Sequence, residues 1–480
     1  MEAVQKGKGS VLGFVMCAVA FVIGLVWWRQ AIPLFLLWTL VEGGLRRWFL
    51  LDWQRFILFT GCMMLLGAYA RYFAGRVLRR DRFNMSNAVT TVILFYFIFA
   101  LLQAFNPSLP SPLIGPVALF IHFIYVPMAY MVPVSFGTVR RFARFMLPYV
   151  YLSLPLVVLA HVQFRSPQVS LVNRVMFEGG LMPIAAEFVR ASATFTTVFG
   201  FGHYLNFVVV IALFLIGLPH LRRWSWSLGL VVAVALYGVL MTATRGNVLP
   251  TWASAAVFVV VSLIIGRGSR RTYALVTLTG AALLALVIVG TETGGDVWRS
   301  FFARLTGGVG VDRTVDRFVL AWTPFRVLPY AGFAGHGTGI THGGLPSLVP
   351  RVLVYLDQRV DDLLIHDEAG KMLYELGIGG FILVLLVRFL FMGMAIRLFW
   401  RSKSPEHRLL SLAVILFQLP PVLFLEQVTY MHSMSRWWWL MAGVLFLIER
   451  EQKAAGQQQA TPAFARPWFS ISRRPSPFRR

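Results

Sequence analysis

The sequence predicts an all-α, polytopic helical membrane protein. Hydrophobic residues make up 58% of the 480 residues and charged residues only 13%. Apolar segments long enough to cross a bilayer recur along the chain, whereas the short alternating segments of a transmembrane barrel do not. We therefore expect about twelve transmembrane helices, at residues 11–41, 54–74, 88–105, 113–136, 145–163, 196–217, 225–243, 248–265, 273–291, 375–398, 409–425 and 436–449.

The distribution of positive charge predicts the orientation of these helices. The net charge of +24 is divided into short basic clusters between apolar segments, which argues against nucleic acid as a partner. The clusters occupy every second connection, at residues 76–82, 140–144, 222–223, 267–271 and 401–408. The positive-inside rule places these connections, and with them both termini, in the cytoplasm. Within 11–41, Arg29, Gln30 and Pro33 leave open a hairpin that would change the count by one.

Residues 1–451 form one predicted membrane domain, followed by a disordered basic cytoplasmic tail at 452–480 near lipid headgroups. Two external connections, at about 164–195 and 292–374, are too long to be simple turns, and long loops often carry function. Residues 292–365 contain seven arginines and seven acids, so this large external loop can be translocated without breaking the orientation rule. Within it, residues 312–322 predict an amphipathic surface helix with Arg313 and Arg317 on one face.

No cofactor or metal is expected. Cys17 and Cys62 both lie in apolar segments and are interpreted as buried thiols, neither a disulfide nor a metal pair. His336, His342 and His432 lack the spacing of a metal site.

The predicted topology brings several arginines to the external face. They are Arg46, Arg47, Arg190, Arg245, Arg313 and Arg317. Arginine is suited to bidentate phosphate binding. In residues 242–247, Gly246 permits close backbone approach beside Arg245, a cation at the bilayer boundary that an anionic ligand would satisfy. The alternative is that Arg245 extends to lipid phosphates.

His366 precedes a predicted helix whose first turn contains Asp367 and Glu368. These carboxylates are favourable at the positive end of the helix dipole. A neutral imidazole there could accept a proton from a hydroxyl, and the alternative is a capping or hydrogen-bonding role.

Five stretches together resemble the O-antigen ligase and Wzy-type polysaccharide polymerase superfamily. Residues 366–380 resemble its histidine motif, which begins His-Asn and ends Glu-x-Gly-x-x-Gly, and 244–246 resemble its Ser-Arg-Gly motif. Residues 190–195 are similar to its Arg-x-x-Gly-x-Phe stretch, 332–339 to the glycine turn of its large loop, and 42–48 to its bacterial exopolysaccharide polymerases. Asp367, Thr244 and Ala193 replace the usual asparagine, serine and glycine.

The resemblance implies a metal-independent, inverting glycosyltransferase of the GT-C type in the bacterial inner membrane, with its active site facing the periplasm or exterior. Arg190 and Arg245 would bind the leaving pyrophosphate of a polyprenyl-pyrophosphate-linked oligosaccharide, and His366 would act as general base on the acceptor hydroxyl. Arg313, Arg317 and Asp367 would contact substrate, and Glu375 would orient Lys371 or the histidine region.

The segment at 42–47 favours a polymerase that extends glycan repeat units. One alternative is a ligase that transfers a finished glycan to a lipid or protein acceptor. A transporter or flippase of lipid-linked sugars is a second alternative, of a different class, for which Arg388 is the one clear deep charge. Expected partners are the lipid-linked donor, the glycan acceptor, membrane lipids, a chain-length regulator and a flippase.

Overall fold

The computed structural model confirms a helical protein with membrane-spanning character. It describes residues 2–49, 54–78, 88–175, 181–265, 290–306, 324–341, 368–425 and 428–460, together with residues 280, 284 and 287. Eight helices within these residues are long and apolar enough to cross a membrane. The ninth predicted span, at 273–291, lies mostly outside the described residues, so the total number of spans is not fixed by the described residues.

Sixteen helices and one short strand pair are described below. The helices are α1 (Glu2–Val26), α2 (Ala31–Gly44), α3 (Gln54–Leu78), α4 (Ala88–Gln103), α5 (Ile114–Phe123), α6 (Val126–Phe136), α7 (Val139–Tyr151), α8 (Ser153–Arg165), α9 (Val198–Ile216), α10 (Ser225–Met241), α11 (Arg245–Ile265), α12 (Glu292–Thr306), α13 (Pro324–Ala331), α14 (Glu368–Arg401), α15 (Pro405–Leu423) and α16 (His432–Ala460). The antiparallel strands are β1 (Ile184–Ala185) and β2 (Phe188–Val189). A π-helical segment, Leu45–Phe49, extends α2.

The prediction of a single helix over 11–41 is wrong, because the chain reverses at residues 27–30. Helix α2 runs antiparallel to α3: Trp28 contacts Tyr72, whereas Trp38 lies beside Gly61. Helix α1 instead runs parallel to α3, since Phe14 contacts Phe56 and later residues of α1 contact later residues of α3. Arg29 and Gln30 lie in the reversal, where the polar side chains interrupt the apolar sequence.

Close packing of α1 on α3 depends on two glycines. A Cβ at Gly24 would lie 1.9 Å from the Met64 carbonyl oxygen, and one at Gly67 would lie 2.0 Å from the Phe21 carbonyl oxygen. Small residues allow helix backbones to approach in this way in membrane proteins. Consequently α1 begins at the same end of the bundle as α3.

That end also contains the end of α2, the start of α9, the turn between α10 and α11 and the start of α16. Helix α9 is almost completely buried at the centre of the bundle. Its Phe207 stacks on Trp437 of α16 at 4.8 Å between ring centroids. We call this end the arginine end, because Arg46, Arg47, Arg190 and Arg245 all lie there.

Helix α14 contains a buried ion pair. Arg388 donates to the Glu368 carboxylate and also to the Pro421 carbonyl oxygen at 2.9 Å. The backbone N–H of Thr429 donates to the same carboxylate at 3.0 Å. The deep charge that the sequence singled out is therefore paired within the bundle.

The C-terminal boundary also differs from the prediction. Helix α16 continues to Ala460, so residues 452–460 of the predicted disordered tail are helical. Gln, Lys and Ala, which favour helices, follow the last apolar turn there. The remaining tail and the amphipathic helix predicted at 312–322 lie outside the described residues.

Replacing Arg388 by Met should reduce the stability of the protein by about 3–5 kcal/mol, because Glu368 would remain buried without its cation. The double variant Glu368→Gln/Arg388→Met should recover most of this loss. Thermal unfolding of the purified protein in detergent measures both effects.

The matched control is Arg397→Met. Arg397 also pairs with a glutamate, Glu449, but its side chain is 46% exposed. Loss of this pair should change stability by less than about 1 kcal/mol. Equal destabilisation by the two arginine substitutions would contradict a specific role for the buried pair.

Candidate functional site

Arg190 lies against the turn between α10 and α11. Its Nε donates to the Thr242 carbonyl oxygen at 3.0 Å and its Nη2 donates to Thr244 Oγ1 at 2.6 Å. The backbone N–H of Ala191 donates to the Met241 carbonyl oxygen at 3.0 Å. Arg245 follows Thr244 directly, so Arg190 contacts the turn that immediately precedes the other arginine singled out for pyrophosphate binding.

Arg47 fixes the segment that follows Arg190. This fully buried side chain donates to Ser192 Oγ at 2.7 Å and to the carbonyl oxygens of Ala193 and Phe195 at 3.0 and 2.9 Å. Its Nε donates to the Arg174 carbonyl oxygen at 2.7 Å. All these acceptors are neutral. Burial lowers the pKa of the guanidinium to about 10, which leaves it charged at neutral pH.

Gln163, at the end of α8, holds the same segment. Its Oε1 accepts from the backbone N–H of Ser192 and Ala193 at 3.1 and 2.8 Å, and its Nε2 donates to the Ala193 carbonyl oxygen at 2.9 Å. Ala193 has a φ of 49°. A glycine adopts this left-handed conformation without steric cost. A glycine at this position, as in the motif that residues 190–195 resemble, would adopt the conformation freely. Here the hydrogen bonds from Arg47 and Gln163 hold an alanine in it.

A second arginine group surrounds Glu42 at the end of α2. Arg46 Nη1 lies 3.3 Å from Glu42 Oε1, and Arg436 Nη1 lies 3.5 Å from Glu42 Oε2. Arg436 also donates from Nε to the His432 carbonyl oxygen at 3.0 Å. Burial lowers the pKa of Arg46, and the Glu42 carboxylate acts in the opposite direction. Glu42 and Arg436, but not Arg46, line a small cleft of about 20 Å³, which we call the Glu42 cleft.

Two glycine motifs cross each other beside α14. Helical geometry is interrupted at Gly377, where φ is 64°. The interruption lets the carbonyl oxygens of Tyr374 and Glu375 accept from the N–H groups of His336 and Gly337 at 2.9 and 3.0 Å. A Cβ at Gly377 would lie 2.2 Å from the Phe333 carbonyl oxygen, so only glycine fits here. We call this contact between residues 332–341 and 374–379 the glycine crossing.

The Glu375 side chain strengthens the crossing. Its fully buried carboxylate accepts from the N–H of Gly339 at 2.8 Å, from the N–H of Thr341 at 3.0 Å and from Thr341 Oγ1 at 2.7 Å. His122 Nε2 lies 3.8 Å from the same carboxylate. Lys371, which the sequence analysis paired with Glu375, lies instead over the Tyr430 ring. Glu375 therefore holds residues 339–341 in place, and its contacts are with protein groups.

The predicted site residues divide into two sets. Arg190, Arg245 and Glu375 are described: Arg190 contacts the turn directly before Arg245, whereas Glu375 belongs to the glycine crossing. Four of the predicted residues lie outside the described residues: His366, Asp367, Arg313 and Arg317. Their proposed roles stay predictions. Within the described part of the chain, no three His, Cys, Asp or Glu side chains are arranged to hold a metal ion.

Three further residues of the arginine end were not predicted from the sequence: Gln163, Arg436 and Glu42. Gln163 and Arg436 are buried, and Glu42 was quoted only as part of a motif. A signal existed for Arg436, since it stands directly before the apolar segment that begins Trp437-Trp438-Trp439. A charge at such a boundary is costly unless it has a partner. Gln163 gave no comparable signal, because its partners are backbone groups of a distant loop.

Comparisons with known proteins give no match: no protein-family model, curated protein or solved structure is similar to this chain. The family resemblance therefore rests on the motif residues alone.

Gly377→Ala should disrupt the glycine crossing, because alanine would meet the Phe333 carbonyl oxygen and would have to adopt a positive φ. We expect a loss of about 1–3 kcal/mol in stability. Residues 324–341 should also become more susceptible to limited proteolysis.

Gly393→Ala is the matched control in the same helix. A Cβ at Gly393 would meet nothing within 4 Å. Alanine is the better helix former, so this variant should be neutral or more stable by up to about 1 kcal/mol. If the two variants behave alike, the crossing does not constrain the loop.

Proposed function

We propose that this protein is a membrane polysaccharide polymerase of the glycosyltransferase type. It would transfer glycan repeat units from a polyprenyl-pyrophosphate donor to a sugar hydroxyl. The observation that carries the proposal is the contact of Arg190 with residues 242–244, directly before Arg245. Two motifs of the resembling family, distant in the sequence, meet at one place.

The chemistry proposed for this place is stabilisation of a leaving pyrophosphate. Bond cleavage at the anomeric carbon leaves negative charge on the pyrophosphate oxygens, and fixed guanidinium groups stabilise such charge as it develops. Arg190 is already oriented by Thr242 and Thr244, so it needs little reorganisation to act. Its buried position also reduces solvent screening, which strengthens the interaction.

Acceptor activation is assigned to His366 on the motif resemblance alone. In this mechanism the imidazole removes the proton of the acceptor hydroxyl as its oxygen attacks the anomeric carbon, with inversion. The glycine crossing supports the assignment indirectly. It joins the glycine turn of the large loop to the Glu-x-Gly-x-x-Gly end of the same motif, at residues 375–380.

We further propose that the arginine end faces the exterior. At the opposite end Arg140, Arg141, Arg222, Arg223 and Lys403 are exposed, as the positive-inside rule expects of a cytoplasmic surface. The prediction that both termini are cytoplasmic assumed that residues 11–41 form a single membrane-spanning helix. Because that region is a hairpin, the proposal now places the N-terminus outside and the end of α16 inside.

Purified protein supplied with polyprenyl-pyrophosphate oligosaccharide should release the pyrophosphate lipid and form a ladder of longer glycans. Arg190→Gln and Arg245→Gln should each reduce the rate by about a hundredfold or more, because charge stabilisation in the transition state is lost. Gel electrophoresis of the labelled glycan measures both products and rate.

Arg223→Gln, an exposed arginine at the opposite end, is the control and should retain full activity. Wild-type protein that moves the lipid between leaflets without bond cleavage would contradict the enzyme proposal. A single transfer to an acceptor, without a ladder, would favour the ligase alternative. Full activity in both Arg190 and Arg245 variants would contradict their roles.

Cysteine labelling tests the orientation. In a background without Cys17 and Cys62, Ala3→Cys and Ser108→Cys should react with an impermeant maleimide in intact spheroplasts. Lys403→Cys should react only after lysis. Opposite accessibility of positions 3 and 108 would contradict the parallel arrangement of α1 and α3, whereas labelling of position 403 alone would reverse the proposed orientation.

A further inference from the structure

Helix α12 has an apolar side that the bundle covers only in part. Successive residues of an α-helix lie about 100° apart, so Val297, Phe301, Trp298 and Phe302 follow one another around this side. Val297 and Phe301 are buried in the main core. Trp298 and Phe302 are 38% and 36% exposed, and their rings contact each other at 4.7 Å between centroids. Half of the apolar side therefore points away from the described bundle.

The opposite side of α12 is polar. Glu292, Asp296, Arg299 and Ala303 lie on it, and the Arg299 side chain is 76% exposed. Asp296 forms ion pairs with Arg299 and, at 2.8 Å, with Arg165. Separate apolar and polar sides are typical of a helix that lies at the boundary between two media.

Helix α12 lies at the rim of the arginine end. Its Asp296 pairs with Arg165, the last residue of α8. It also packs against α10 and α11, whose connecting turn belongs to the arginine end. Only 33% of the apolar segment of α11 is buried, as expected of a helix with most of its surface in lipid. The uncovered rings of α12 thus lie beside lipid-facing helices, at the level where those helices meet water.

Neither the bilayer interior nor bulk water suits this helix. Its 15 residues rise about 22 Å, less than the thickness of the hydrocarbon core, and they include four charged side chains, Glu292, Asp296, Arg299 and Arg304. In water, two adjacent aromatic rings would remain solvated. In the headgroup region the rings reach apolar chains, and the exposed guanidinium reaches lipid phosphates.

Hydrogen bonds link α12 to the backbone of Arg190. Ser300 Oγ donates to the Ala185 carbonyl oxygen in β1 at 3.2 Å. The neighbouring Ile184 is exposed and extends the apolar surface of α12. On the other side of the strand pair, the N–H of Arg190 donates to the Pro183 carbonyl oxygen at 2.9 Å. The position of α12 is thus coupled to that of Arg190.

We propose that α12 lies in the headgroup region of the leaflet at the arginine end. Trp298 and Phe302 insert among the upper acyl chains, and Arg299 contacts lipid phosphates. The partner of this surface is the phospholipid bilayer. Through Ser300 and the strand pair, the contact holds Arg190 at a fixed depth relative to the headgroups. This anchorage requires no particular reaction, so it goes beyond the proposed function.

Spin-label depth measurements on the full-length protein in phospholipid nanodiscs test the proposal. In a background without Cys17 and Cys62, nitroxides at Phe302→Cys and Ala303→Cys report on adjacent residues from the two sides of the helix. Both positions are exposed. The ratio of collisions with oxygen to collisions with a water-soluble nickel chelate should be about tenfold higher at position 302, because only that side faces acyl chains.

Two reference labels calibrate the scale. Val257→Cys lies on the exposed surface of α11 and reports the lipid interior, whereas Ser108→Cys lies in an exposed external connection and reports water. The label at position 302 should fall between the two, and the label at position 303 should resemble Ser108→Cys.

A double variant tests the anchorage. Trp298→Ser/Phe302→Ser removes both rings, so backbone amides of residues 184–190 and 292–306 should exchange hydrogen about tenfold faster in nanodiscs. Phe105→Ser, which removes an exposed ring beyond the end of α4, is the matched control and should leave this exchange unchanged. The unfolding midpoint shows whether the double variant keeps its fold.

Equal collision ratios at positions 302 and 303 would overturn the proposal. Strong immobilisation at 302 with few collisions of either kind would also overturn it and indicate a protein partner. Unchanged exchange in the double variant would contradict the coupling to Arg190. None of these outcomes depends on activity. An inactive protein with the 302 label in lipid would lose the polymerase assignment but keep this surface.

Discussion

The structure of the arginine end is set by the need to provide hydrogen-bond partners for backbone groups that belong to no helix or sheet. Residues 190–195 cross the end of the bundle without helix or sheet, so their polar groups need other partners within a largely apolar protein. Arg47 and Gln163 supply them from two different helical regions, with Ser192 and Ala193 as common partners. These hydrogen bonds fix the segment that follows Arg190, and with it the contact of Arg190 with residues 242–244.

At the glycine crossing, too, backbone groups outside regular secondary structure find hydrogen-bond partners. Interrupting α14 at Gly377 exposes backbone acceptors that a continuous helix would have used, and residues 336–337 bond to them. The Glu375 carboxylate then binds the following part of the loop. Residues 332–341 are thereby held by one helix interruption, and the carbonyl oxygens of Tyr374 and Glu375 that it frees are bonded, as irregular backbone near a membrane requires.

Composition and apolar length predicted the helical membrane class, and most helices lie where hydropathy placed them. The hairpin at 27–30 was harder, since only Arg29, Gln30 and Pro33 mark it within an apolar stretch. For the site, the sequence singled out Arg190 and Arg245 through the predicted topology and the motif resemblance, and the structure shows Arg190 in contact with Thr244. The sequence could not identify Gln163 or the sharing of Glu42 by Arg46 and Arg436, because those partners are distant in sequence and only packing brings them together.

The parallel contact of α1 with α3 decides how the chain enters the membrane. Helix α1 lies at the periphery, with Phe14, Val19 and Val22 exposed on its outer surface, and it joins the bundle chiefly along one neighbour. Removing α1 would lower the number of membrane crossings by one and place the start of the chain on the other side of the membrane. No other helix would need to invert. Helix α1 can therefore differ in length or be absent, while the helices from Ala31 onward keep their orientation across the bilayer.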